Sequence, residues 1–244
     1  MIEGIIFDLG STLIRFEGDW DRIWPESLGE LETTLRDSGF DWGTQDLIGV
    51  FSRRMKEYHQ NRLGDHVELT TTAVLREALA SVGIDSPDPQ IIAHALDRMY
   101  ALTERHWLRV PGLEMTLNLL QRRGLRLGLL SNAGDEANVQ RLIDKVGIRS
   151  FFDPILVSAA IGERKPAAGP FLQILERWHL EPEQVVMVGD RLDQDILGAQ
   201  RVGMHQIWMR GYAEVDHGAE ITPELTADSL MQLPSMIDTL SEKG

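Results

Sequence analysis

The chain of 244 residues contains no cysteine. That excludes disulfides, thiolate metal sites and a cysteine nucleophile. No apolar run approaches the roughly 18 residues of a membrane-spanning helix. The opening residues, Met1 to Phe7, show no basic flank and no cleavage-like site. No signal peptide is expected there, and a cytoplasmic location is the default. Positive charge is scarce: 24 basic residues face 38 acidic ones, a formal net charge of −14. That sign disfavours nucleic acid and anionic membranes as partners. An anionic substrate would need local help from a metal ion, a lysine or backbone amides. Only Lys56, Lys145, Lys165 and Lys243 are lysines; the other basic residues are arginine.

What remains is an ordinary globular composition, 43% hydrophobic and 25% charged. Ile5-Ile6-Phe7 reads as a short buried strand running into the loop Asp8–Thr12. Residues 16–108 have a different texture. Helical spacing appears over Gln45–Leu63, Thr70–Val82 and Asp88–Trp107, with Asp88 as cap and Pro89 at the first helical position. From Pro111 onward strands and helices alternate. Helices over Leu113–Arg123 and Asp135–Val146 stop at Gly124 and Gly147. Strands are expected at 125–130, Ile155–Val157, Val185–Val188 and His205–Met209. Helices are expected over Ala168–His179, up to Gly203, and over Ser229–Leu240. Such alternation builds a parallel sheet with helices on both faces. The expected fold is therefore α/β: a Rossmann-like core from residues 1–15 and 109–244, with a smaller all-α domain inserted at 16–108.

In an open parallel sheet, ligands bind beyond the carboxyl ends of the strands. The residues that follow the predicted strands are Asp8 with Gly10, Ser11 and Thr12; Ser131 and Asn132; Lys165-Pro166; and Asp190 with Asp193 and Asp195. Several carboxylates together need a cation. Oxygen ligands without His or Cys suit Mg²⁺. Ser131 and a lysine suit phosphate oxygens, and a carboxylate such as Asp8 is able to form an aspartyl-phosphate. Together these groups suit phosphoryl transfer by positioning and charge neutralisation.

The order Asp8-x-x-x-Thr12, Ser131-Asn132, Lys165-Pro166 and Gly189-Asp190-x-x-x-x-Asp195 resembles the four motifs of the haloacid dehalogenase superfamily. The resemblance spans the chain, including a helical cap inserted after the first strand. It implies Asp8 as nucleophile. It implies Mg²⁺ held by Asp8, the Gly10 carbonyl and Asp190, with Asp195 in support. It also implies phosphate bound by Ser131 with Asn132 beside it, and Lys165 steadying both phosphate and Asp8. The expected substrate is a small phosphorylated metabolite.

One position departs from the pattern. The family's phosphatases usually carry a second aspartate two residues after the nucleophile, as general acid and base. Here that residue is Gly10. Losing such a group typically costs about 10²- to 10⁴-fold. The departure favours substrates with good leaving groups, a proton donor from the cap, or a weakly catalytic binding or regulatory protein. A carbon–halogen hydrolase is the other enzymatic alternative; it lacks a need for Mg²⁺. Asp195 is preferred to Asp193 by spacing. In the inserted domain, Trp20, Trp24 and Trp42 read first as packing residues, although Trp20 and Trp24 lie near the hinge where they could line a pocket. Arg53, Arg54, Lys56 and Arg62 read as a solvated helix face, and His59 and His66 are candidate surrogate acids.

Overall fold

The computed structural model describes residues 1–61, 66–213 and 220–243. The first strand, β1 (Gly4–Phe7), leads into β2 (Ile14–Phe16). Four helices follow: α1 (Trp20–Asp37), α2 (Leu47–Asn61), α3 (Thr71–Ser81) and α4 (Pro89–Glu104). Then come β3 (Trp107–Arg109), α5 (Leu113–Arg122), β4 (Arg126–Ser131) and α6 (Glu136–Lys145). After these run β5 (Ile155–Val157), the short α7 (Ser158–Ile161), α8 (Ala168–Trp178) and β6 (Val185–Gly189). The chain ends with α9 (Leu197–Val202), β7 (His205–Met209), β8 (Leu225–Ala227) and α10 (Leu233–Lys243).

Six strands form one parallel sheet in the order β5-β4-β1-β6-β7-β8. Alternation along β1 divides the core. Ile5 and Phe7 join the apolar cluster that includes α5, α6 and α10, whereas Ile6 joins the cluster under α8 and α9. The four helices between β2 and β3 enclose a separate core of Leu31, Leu35, Phe51, Leu75, Leu79 and Met99, among others.

Local chemistry sets the helix starts. Asp88 accepts from the Gln90 amide at 2.8 Å with Pro89 behind it, and Asp135 accepts from the Asn138 amide at 2.8 Å. Three elements differ from the sequence expectation or were not delimited by it. Helix α1 contains Pro25, which obscures its helical signal. Helix α4 stops at Glu104, and Trp107 instead opens β3, pairing with Phe16 in an antiparallel two-stranded ribbon. Strand β8 has only three residues, too few for periodicity to register.

The sheet face beneath α8 depends on two missing side chains. Gly4 on β1 and Gly128 on β4 admit the Trp178 indole; a Cβ at these positions would lie 2.7 and 2.9 Å from its ring. Trp178 Nε1 meanwhile donates to the Asp153 carbonyl at 2.8 Å. Gly128→Val is expected to overpack this contact and cost about 1–3 kcal/mol. The reading is a lower urea midpoint at an unchanged slope; an unshifted midpoint would mean that the ring simply moves aside.

Candidate active site

The three central strands β4, β1 and β6 end side by side. Asp8 follows β1, Ser131 closes β4 and Asp190 follows β6. The Asp8 amide is fixed to the Val188 carbonyl at 2.9 Å. Three residues on, the loop turns through Ser11 with φ of 56°, a left-handed conformation unusual for a side-chain-bearing residue. After β6 the chain makes a π-helical turn over Leu192–Ile196, which carries Asp195 back against Gly189. A Cβ at Gly189 would lie 2.2 Å from the Asp195 carboxylate, so only glycine permits that approach.

Lys165 is the hub. It is 1% exposed, and its ammonium contacts Asp8 Oδ1, Asp195 Oδ1 and the Leu130 carbonyl, each at 2.7 Å. Asp8 Oδ1 and the Leu130 carbonyl accept hydrogen bonds from it, and Asp195 Oδ1 adds an ion pair. Asp195 Oδ2 also accepts from the Arg191 amide at 3.0 Å. Asp193 turns away to pair with the Arg191 guanidinium at 2.8 Å.

Asn132, expected beside the phosphate, uses its amide for positioning. It accepts from the Lys165 amide and donates to the Lys165 carbonyl, both at 2.9 Å, and donates to Gln194 Oε1 at 2.8 Å. Its side chain thus clamps the loop that presents Lys165. Ser131 is buried and borders the cavity over Asp8.

Charge balance shows what the cluster lacks. Ligand oxygens of Asp8, Asp190 and Asp195 lie within 4.8 Å of one another. Burial first, and then the Asp8 and Asp195 charges, push Asp190 up to about 9. Burial outweighs Lys165 and raises Asp195 to about 6. Burial also opposes the Lys165 charge, yet Asp195 and Asp8 together hold its ammonium above the ordinary range. With all three carboxylates ionised, one ammonium would leave two negative charges uncompensated. A hard divalent cation fits that deficit and the all-oxygen donor set. Asp8 and Asp190 suit direct ligation, with the Gly10 carbonyl available in the same loop. Asp195 lies in the cluster with Oδ2 held by the Arg191 amide and Oδ1 facing the Lys165 ammonium as an ion pair without a hydrogen bond.

Above these groups is a cavity of about 530 Å³. Its walls include Asp8, Gly10, Ser131, Asn132, Asp190, Arg164 and Gln194, and the apolar surfaces of Phe16, Trp20, Trp107 and Leu142. Trp20 therefore lines the pocket, stacked on Trp24 at 5.4 Å and 9°. Trp42 is core, with Arg36 over its ring at 3.9 Å. Arg54 pairs with Glu77 on an exposed face. Lys56 borders a second cavity that shares Trp20, Asn132, Ala133 and Arg164 with the first. His66 borders neither cavity. The side chain of His59, and Arg62 altogether, lie outside the described residues.

Sequence reasoning missed Trp107, Gln194, Trp208 and Arg164. Trp208 Nε1 donates to the Asp190 carbonyl at 2.8 Å. Arg164 is 3% exposed and reaches Glu68, from the segment between α2 and α3, at 3.8 Å. Only Arg164 carried a signal, as the neighbour of Lys165.

An acidic cluster at the ends of the central strands of a parallel sheet, with a buried lysine among its carboxylates, fits a hydrolase of α/β type. The model of the haloacid dehalogenase-like hydrolases matches residues 2–203, and the chain belongs to that family. It is similar to the glyceraldehyde 3-phosphate phosphatase of Methanocaldococcus jannaschii, with 27% identity over 99% of this chain and 100% of that one. The protein of the same name from Methanopyrus kandleri is 28% identical over 86% of this chain and 84% of that one. Among solved structures, a 2-haloacid dehalogenase from Pseudomonas syringae pv. Tomato superposes with a TM-score of 0.73 at 24% identity, covering 98% of this chain and 99% of that one. A phosphatase of the same superfamily from Thermococcus onnurineus gives 0.64 at 21%, covering 97% and 98%. At these identities the structural likeness bears on fold alone. No helix among the described residues is long and apolar enough to cross a membrane.

The raised carboxyls have a definite sign. Unfolded carboxyls titrate near about 4. The metal-free folded protein therefore binds more protons than the unfolded chain, and this contribution to stability is lost as pH rises through about 6 and then about 9. A divalent cation needs these groups ionised. The gain in Tm from excess Mg²⁺ over chelator is expected to widen between about pH 5.5 and 8.5. A gain that stays constant or shrinks would show that the cluster is not the cation site.

Proposed function

We propose that this chain is a Mg²⁺-dependent phosphatase acting on a small phosphorylated metabolite of the cytoplasm through an aspartyl-phosphate. The carrying observation is the buried Asp8–Lys165–Asp195 ion-pair chain beside Asp190, at the floor of a cavity bordered by Ser131. The names of the relatives, glyceraldehyde 3-phosphate phosphatases, support the same reaction class.

In this reading Lys165 aims the Asp8 carboxylate, because the ammonium is itself held by the Leu130 carbonyl and paired with Asp195. The Asp8 carboxylate attacks phosphorus, and the bond to the leaving oxygen breaks in line. Ser131 and the loop amides hold phosphate oxygens. Water then attacks the aspartyl-phosphate, releasing phosphate and restoring the carboxylate. Bound Mg²⁺ supplies charge neutralisation for the phosphoryl oxygens. The helical layer over the cavity excludes water while substrate is held. A dehalogenase also needs the Asp8 carboxylate; the three clustered carboxylates, which suit a cation, and the phosphatase names of the relatives favour phosphate.

Gly10 limits the leaving group. The other titratable side chains on the wall around Asp8 are Asp190, Arg164 and Arg191. With Asp190 committed to the cation, no further acid among the described residues borders this cavity to protonate a poor leaving group. There is room for one: a Cβ at Gly10 would meet only the Trp107 ring edge, at 3.7 and 3.8 Å. Gly10→Asp is expected to raise kcat on an alkyl phosphate such as glycerol phosphate by about 10²-fold or more. Phenyl phosphate should change far less. Asp8→Asn is the blank for both. If no ester is hydrolysed above that blank with Mg²⁺ present, the phosphatase reading fails and 2-haloacids become the substrates to assay.

A further inference from the structure

We infer that the preferred substrate is an aryl phosphate, with its ring held against Trp107 and Trp20. This deepens the phosphatase reading and rests on it. Two independent features of the cavity converge on that class.

The first is chemical. With Gly10 where an acid would stand, and no other acid besides Asp190 on the described wall around Asp8, the proposed leaving oxygen departs unprotonated. The bond from the Asp8 carboxylate to phosphorus forms as the phosphorus–oxygen ester bond breaks, and the aryl oxygen keeps the electron pair. It leaves as a phenolate, stabilised by its own ring, and takes a proton from solvent afterwards. Water later supplies the oxygen that frees phosphate from Asp8. An alkoxide has no such stabilisation.

The second is the wall itself. The edge of the Trp107 ring reaches 3.7 Å from the Cβ position of residue 10, so an indole lies next to where the acid would begin. Phe16 packs edge-on against both Trp107, at 5.6 Å, and Trp20, at 5.0 Å. Trp20 stacks on Trp24 yet stays 46% exposed while bordering the cavity. Large exposed aromatic surface at a cavity mouth is surface for a ligand to cover. A three-carbon ester displaces on the order of five or six waters of about 30 Å³ each. The cavity of about 530 Å³ leaves ample room beyond that for a ring.

The test separates ring recognition from leaving-group acidity. Acetyl phosphate has an acidic leaving group and no ring; phenyl phosphate has a ring. Trp107→Ala is expected to lower the ratio of kcat/KM for phenyl over acetyl phosphate by about 3- to 10-fold, with Trp107→Phe restoring most of it. Wild-type protein with Mg²⁺ should bind phenylphosphonate more tightly than methylphosphonate by a similar factor, read by calorimetry. An unchanged ratio, or equal binding of the two phosphonates, overturns the inference. If Trp107→Ala does not fold, the phosphonate pair decides alone. Loss of Asp8-dependent turnover on both esters counts against the phosphatase reading, while the phosphonate pair still decides the ring pocket.

Discussion

An ammonium ion with 1% of its surface exposed must be surrounded by charge and acceptors of the opposite sense, and Lys165 is. Its three contacts reach three different parts of the chain: Asp8 after β1, the Leu130 carbonyl on β4, and Asp195 in the turn after β6. Each of those parts is shaped to reach it. Gly189 lacks a side chain so that Asp195 can fold back, and Asn132 grips the Lys165 backbone from both sides. Removing one member of such a buried set leaves a charge unpaired, which typically costs about 3–5 kcal/mol. The sheet order follows from the same need, because only adjacent central strands bring these carboxylates within reach of one lysine.

With its carboxylates ionised, that arrangement over-supplies negative charge. Burial first, and then the Asp8 and Asp195 charges, raise the titration of Asp190. An all-oxygen cluster of this kind could hold a cation. At Gly10 a wall of indole adjoins the place of an acid. The floor of the cavity is strongly polar and its sides are aromatic. Phosphate recognition and leaving-group selection are therefore separated in space.

Much of this was legible in the sequence because it is local. Asp88-Pro89, Asp135 and the glycines at 124 and 147 mark helix ends through bonds spanning a few residues. The alternation of strand and helix implied the parallel sheet. The spacing of Asp190 and Asp195 singled out the carboxylate that joins the cluster over Asp193, which pairs with Arg191. The sequence reading erred where partners lie far apart. Trp107 was placed in a helix, but its backbone partner is Phe16. For Asn132, expected beside the phosphate and bordering the cavity, no local pattern signalled the bonds to Lys165 and Gln194.

By itself the sequence determined the fold class and the order of the chemical groups along one sheet edge, which follow from residue type and short-range periodicity; the missing acid at Gly10 is implied by the resemblance to the haloacid dehalogenase superfamily. Only the tertiary structure decided which groups touch: that Lys165 spans two carboxylates, that Asn132 clamps a loop, and that Trp20 and Trp107 wall the cavity over Asp8. Such contacts join residues dozens of positions apart. They depend on strand order and on the packing of the helical layer, which no local pattern encodes.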